Sequence, residues 1–163
     1  MIRNWATAIL LGLGAIGSAA EVEVPLRNIA AGTFYVEGTV SGIGAVDFLV
    51  DTGSGYTSIT PGMLRDLQAA GAATYLRDLI GIMADGSRLV VPVYHLPELH
   101  LGGCVIYDIE AAVFASSSRP ILGMRSLSKI SPFTLSTDPP ALSFSQCQLS
   151  PPPVDVAEQL SMR

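Results

Sequence analysis

Beyond residue 20 the chain alternates apolar and polar side chains with a period near two over much of its length. Phe34, Val36 and Val40 alternate with Tyr35, Glu37 and Thr39, the pattern of a strand with one buried face. Ser41-Gly42-Ile43-Gly44 reads as a turn, and Ala45 to Val50 as a more fully apolar strand. Tyr56 to Ile59 predicts another short strand. Thr60-Pro61 then offers a capping hydroxyl followed by a residue with preset φ. Leu64, Leu67 and Gln68 continue that helix to a stop at Gly71. It is the one short helix expected outside residues 1–20.

Leu79 to Met83 and Arg88 to Val93 flank Ala84-Asp85-Gly86-Ser87. Asp-Gly between apolar strands predicts a hairpin whose two central residues both take positive φ. Leu96 to Leu101 leads into a turn at Gly102-Gly103. On the next strand Val105, Tyr107, Ile109, Ala111 and Val113 are expected to share one face, with Asp108 and Glu110 on the other. A serine loop, 116–118, precedes Pro120-Ile121-Leu122-Gly123. Phe133 to Ser136 and Ala141 to Gln146 predict a closing pair of strands around Asp138-Pro139-Pro140. The fold class is therefore all-β, with one domain over residues 21–148 and a Pro-rich, disordered tail over 149–163. No internal repeat is visible.

Composition narrows the function classes. With 163 residues, 49% apolar and only 14% charged, the chain has ample material for a single packed core. A net charge of -5 and the lack of any Lys/Arg cluster argue against nucleic acid or an anionic membrane surface as a partner. Residues 1–20 have a basic start at Arg3, an apolar stretch from Trp5 to Ile16, and small residues at Ser18-Ala19-Ala20, the layout of a secretory signal peptide. The expected mature chain begins at Glu21. The uncharged run is short for a ~20-residue span, and an uncleaved anchor is the alternative, giving membrane contact through that segment alone. Either way the domain is expected outside the cytoplasm, periplasmic or secreted. Gly12, Gly14 and Gly17, with Glu37 downstream, match a dinucleotide-binding fingerprint. That site requires a helix starting within the glycines, and Glu21 to Arg27 instead alternate with a proline inside.

The candidate chemistry lies in "FLVDTGSGYTSIT", residues 48–60. An apolar strand delivers Asp51 into Thr52-Gly53-Ser54, which supply two hydroxyls and backbone N–H groups that glycine lets approach closely. A carboxylate there is half buried and surrounded by donors, though an Asx turn closing a strand has the same composition. His95 and His100 flank Pro97 without metal-ligand spacing, so neither a metal nor a cofactor is expected. Cys104 and Cys147 are the only cysteines. One disulfide, two buried thiols, or an intermolecular bond through Cys147 are all compatible with that count.

Leu49-Val50-Asp51-Thr52-Gly53-Ser54, the glycine-tipped hairpin Met83-Ala84-Asp85-Gly86-Ser87 and the apolar-apolar-glycine element Ile121-Leu122-Gly123 occur here in one order. In that order and spacing they resemble the retropepsin-like aspartic proteases, especially bacterial single-lobe members with an exported or membrane-anchored amino terminus. The resemblance covers roughly residues 30–147, and the continuation "LGMRSLSKISPFTLS" is similar to those members' short helix and closing strand. It implies a single-lobe β-barrel, a two-fold homodimer and peptide or protein substrates. Asp51 would be the catalytic acid, supplied by both copies because no other aspartate precedes Thr-Gly or Ser-Gly. Thr52 would tie the subunits together beneath the acids, and Ser54 would hydrogen-bond the carboxylate. Ile121, Leu122 and Gly123 would support the turn. Ala84, Asp85, Gly86 and Ser87 would form a flap over the substrate. The pair of acids would share a proton, so activity is expected to be highest below neutral pH. The flap tip departs from the family in being polar and charged, and a peptide-binding module without turnover is the alternative.

Overall fold

The period-two stretches become strands in the computed structural model, which describes residues 21–30, 32–82, 84–115, 119–145 and 147. The expected leader and tail lie outside the described residues, as does loop 116–118. Along the chain run β1 (Val22–Ala30), β2 (Thr33–Val40), β3 (Gly44–Val50), β4 (Thr57–Ile59), α1 (Pro61–Ala69), β5 (Thr74–Ile82), β6 (Arg88–Leu101) and β7 (Cys104–Val113). β8 (Ile121–Leu122), α2 (Met124–Leu127), β9 (Phe133–Thr137) and β10 (Pro140–Phe144) follow. Among the described residues no helix is long and apolar enough to cross a membrane.

The strand order is β5-β6-β7-β4-β8-β3-β2-β1-β10-β9, and β6 pairs a second time with β2. That extra ladder closes β2, β3, β8, β4, β7 and β6 into a ring. Val36, Val40, Phe48, Leu99, Leu101 and Ile106 fill it, none more than 2% exposed. Full burial of one such side chain contributes roughly 1.5–3 kcal/mol. β1 bridges two assemblies: Val22 to Pro25 pair with β10, whereas Leu26 onward pairs with β2. A disulfide between Cys104 and Cys147, with Cα atoms 5.2 Å apart, ties the start of β7 to the residues following β10.

α1 forms as its sequence predicts. Thr60 Oγ1 accepts the Met63 amide at 3.2 Å, Pro61 occupies the first turn, Leu67 is fully buried, and Gly71 ends the helix with φ of 68°. A second, four-residue helix, α2, follows Gly123 and continues into a 3-10 turn at Ser128–Ile130.

Three local expectations are corrected. The stretches from Arg88 and from Leu96 form one continuous strand, β6, that runs through Pro92 and Pro97. At the β5–β6 turn only Gly86 has positive φ, 80°, while Asp85 Oδ1 accepts the Ser87 amide at 2.9 Å. An Asx-type bond therefore replaces the second left-handed residue in this longer loop. On β7 the side chains buried in the core are Cys104 and Ile106, then Ile109, Ala111 and Val113, with Ala112 buried outside that cluster, so the alternation changes phase midway. Asp108 causes the change: its φ of 55° takes it out of extended backbone, as aspartate tolerates. Lys129 Nζ donates to the carbonyls of Tyr107 and Asp108 at 2.8 and 2.9 Å, holding the irregularity in place.

Candidate active site

Asp51 follows β3 at a seam between segments distant in sequence. β3 pairs in parallel with β8, Leu49 opposite Ile121 and Val50 opposite Leu122. The Leu49 amide donates to the Pro120 carbonyl at 3.0 Å, and the Asp51 amide to the Leu122 carbonyl at 3.2 Å. The turn closes on itself when the Ser54 amide donates to the Asp51 carbonyl at 3.2 Å. The Gly53 amide donates to Asp51 Oδ1 at 2.9 Å, orienting the half-buried carboxylate. Thr52 is exposed beside it.

Gly123 shows why this seam needs its glycine. A Cβ at that position would overlap the Tyr56 carbonyl and lie 2.9 Å from the Thr57 amide nitrogen. The close approach lets Gly123 N–H donate to Thr57 Oγ1 at 3.3 Å, and lets Met124 and Arg125 N–H reach the Ser54 and Gly55 carbonyls at 2.8 and 3.0 Å. Thr57 Oγ1 and Ser126 Oγ, both buried, lie 2.7 Å apart. The seam is thus held by side chains and backbone together.

Ser54 plays a different part from the one expected. Its hydroxyl donates to the Tyr56 carbonyl at 2.8 Å, and its single proton is then unavailable to the Asp51 carboxylate. It braces the loop instead.

An open groove of about 620 Å³ runs over Asp51. Gly53, Ser54 and Ile121, expected as support of the turn, line it, and so does Ala84 of the expected flap. Thr52, Asp85, Gly86 and Ser87 are not among its lining residues, and Leu122 and Gly123 lie beneath it as support. The Ser87 hydroxyl and amide hold the Asp85 carboxyl below its ordinary value, leaving the flap tip negatively charged at neutral pH. Among the described residues, Asp51 is the sole carboxylate lining the groove.

Several contributors are absent from the motifs. Leu79 to Ile82 of β5 supply an apolar roof, with Ile80 64% and Ile82 72% exposed. Those exposed side chains were legible only as strand residues, not as a groove surface. Tyr56 forms an end wall, with the Arg125 guanidinium 4.5 Å from its ring centroid and Arg77 Nη2 donating to its hydroxyl at 3.4 Å. Both arginines converge on Glu110, at 2.8 and 3.0 Å. The hydrogen bond from Arg77 is the main reason the Glu110 carboxyl is held below its ordinary value. The histidines lie elsewhere: His95 faces Asp108 at 3.2 Å and His100 faces Glu98 at 3.3 Å.

The family profile described as "gag-polyprotein putative aspartyl protease" matches residues 36–129, which include Asp51, the flap and Gly123. The crystal structure of a retropepsin-like aspartic protease from Rickettsia conorii superposes with a TM-score of 0.54 at 21% identity, over 77% of this chain and 90% of that one. At that identity the likeness is one of fold. No curated protein matches the chain. A single Asp-Thr-Gly turn buttressed by Ile121-Leu122-Gly123 under an apolar hairpin, on this fold and within this match, makes the chain a member of the retropepsin-like aspartic protease family.

Proposed function

We propose that the protein is an aspartic endopeptidase that works as a homodimer, with Asp51 of each copy facing the other across one shared groove. The observation carrying this reading is the Asp51 carboxylate in a peptide-sized groove lined, among the described residues, by no other acid. Two carboxyls about 3 Å apart cannot both ionise easily, so such a pair shares one proton. The ionised member takes a proton from a bound water, which attacks the scissile carbonyl. The protonated member polarises that carbonyl and then protonates the leaving amine. Gly53 N–H keeps each carboxylate aimed, and the β5–β6 hairpin closes over an extended peptide and excludes water. The two-fold contact would be isologous, the same turn meeting itself. Export is part of the proposal: the leader-like residues 1–20 and the Cys104–Cys147 disulfide both suit an oxidising compartment outside the cytoplasm.

Asp51→Asn tests the shared site. Asn keeps the size of the side chain and removes the ionisable group, so a mixed dimer holds one acid. Wild type and variant are co-refolded in equal amounts at constant total protein, well above the dimer dissociation constant, and hydrolysis of an unstructured protein is followed. Random pairing leaves about a quarter of the wild-type rate, whereas independent sites leave about half. A residual near one half refutes the shared site. Binding of the same peptide by both pure proteins without cleavage by either points to a peptide-binding module instead.

A further inference from the structure

β5 is the last strand at one end of the sheet, and among the described residues nothing pairs with its outer edge. An open edge is a template for another strand, and natural sheets blunt it with charge, proline or a bulge. β5 carries such devices only in its first half: a register shift between Tyr75 and Arg77, then the charges of Arg77 and Asp78. Leu79-Ile80-Gly81-Ile82 has none, although this is the part that roofs the groove. Ile80 and Ile82 are largely exposed, and so is Val90, which pairs with Ile80. β9, the edge at the other end of the sheet, exposes no large apolar side chain.

The chain beyond Cys147 holds a segment of matching pattern. Val154, Val156, Leu160 and Met162 fall on alternate positions, broken only by Glu158, with Asp155, Gln159 and Ser161 among the residues between. That is the period of a strand with one apolar face. Residues 154–162 are nine in number, as many as β5 contains. The root of the segment is fixed by the Cys104–Cys147 disulfide, at the end of β6 where Leu101 pairs with Cys104. β5 begins further back along β6, where Thr74 pairs with His95. From Leu101 to His95 is about 20 Å of strand, and crossing from β7 to β5 adds about 10 Å sideways, so Thr74 lies about 22 Å from the root. From Cys147 to Val154, through Pro151-Pro152-Pro153, an extended chain also spans about 22 Å. The segment then starts at Thr74 and runs parallel to β5, towards the groove.

We propose that residues 154–162 dock as an added strand on the open edge of β5 and occlude the groove over Asp51 until a substrate displaces them. The docking stands on the edge, the pattern and the tether; that it inhibits rests on the peptide-hydrolase reading above. The outward amides and carbonyls of β5 gain partners, and the apolar face of the segment leaves water against Leu79 to Ile82. The tether supplies an effective concentration on the order of millimolar, which favours this segment over a second copy of the chain at ordinary dilution.

The test uses the full chain and places its substitutions in residues 154–162, outside the packed core. Val156→Asp combined with Leu160→Asp breaks the apolar face of the segment. Amide hydrogen exchange read by mass spectrometry reports docking without reference to activity. In wild type, residues 154–162 should exchange about tenfold slower than an unfolded chain; in the double variant they should exchange at the unfolded rate, and β5 should lose protection with them. Exchange of 154–162 at the unfolded rate in wild type overturns the proposal. So does protection of β5 that grows with protein concentration and survives both substitutions, which assigns the edge to a second copy. Hydrolysis of an unstructured protein then tests occlusion. A segment docked about nine-tenths of the time lowers kcat/KM about tenfold, and the double variant should recover that factor. Equal rates despite a docked segment overturn the occlusion. A segment docked in wild type and released in the variant, with cleavage by neither, keeps the docking and rejects the hydrolase. Cleavage by both forms with 154–162 unprotected does the reverse.

Discussion

Gly123→Ala tests the seam beneath Asp51. Gly123 has a φ of -95°, which alanine adopts freely, so any cost comes from space rather than backbone preference. The added Cβ would overlap the Tyr56 carbonyl and crowd the Thr57 amide nitrogen at 2.9 Å. Both obstacles are backbone atoms at the start of the groove floor and cannot rotate away. To make room the seam must open, and the amides of Gly123, Met124 and Arg125 all donate across it, at 3.3, 2.8 and 3.0 Å. Overpacking costs about 1–3 kcal/mol, and each net hydrogen bond lost about 1 kcal/mol. With two of the three bonds lost, the total is about 3–5 kcal/mol, a large share of the roughly 5–15 kcal/mol that holds a domain folded. In urea, with a slope of about 1–3 kcal/mol/M, the unfolding midpoint should drop by about 2 M. Gly103→Ala is the control: no atom lies within 4 Å of its Cβ, and its midpoint should hardly move. A Gly123→Ala midpoint within about 0.3 M of wild type would refute the reasoning.

Two further changes probe the scaffold. Glu110→Gln removes the charge that Arg77 and Arg125 share. Because the native carboxyl sits below its ordinary value of 4.5, its stabilisation is full above that value and is lost as pH falls through the lowered one. The variant should cost about 1 kcal/mol at neutral pH, discounted because both arginines are about half exposed. Thermal melts should then converge with wild type as pH falls below 4.5 and through the lowered value, and a gap that stays constant contradicts the pairing. Replacing Cys104 and Cys147 together by alanine releases a cross-link spanning 43 positions. Chemical denaturation should show a loss of about 2–4 kcal/mol, and an unchanged midpoint refutes any stabilising role for the bond.

What the sequence made legible was local chemistry. Thr60-Pro61 and Gly71 delimit α1 because a cap, a fixed φ and a left-handed stop act within a few residues. The Asp51 turn and Gly123 were legible because few residue types fit a tight loop or a close backbone approach. Hydrogen-bond direction was not. Ser54 had a carboxylate and several carbonyls within reach, and only the folded loop shows that its proton goes to Tyr56. The phase change on β7 also escaped, since Asp108 looks like any outward-facing polar residue until its φ of 55° is known. Glu110 gains its meaning from Arg77 on β5 and Arg125 on α2, and a one-dimensional pattern does not carry that convergence.

The link between Thr57 and Ser126 spans 69 positions, and the amide that completes it, that of Gly123, comes from nearly as far along the chain. During synthesis Asp51 emerges early, but the residues that fix its turn emerge last among those that touch it. A nascent chain that has not yet reached Ser126 contains the acid and lacks the geometry. No amino-terminal fragment ending before that point can present Asp51 on its finished support, however well its own hairpins form. Competence is deferred until the ring is closed, so the acid is positioned only in a chain whose β8 and α2 have already docked.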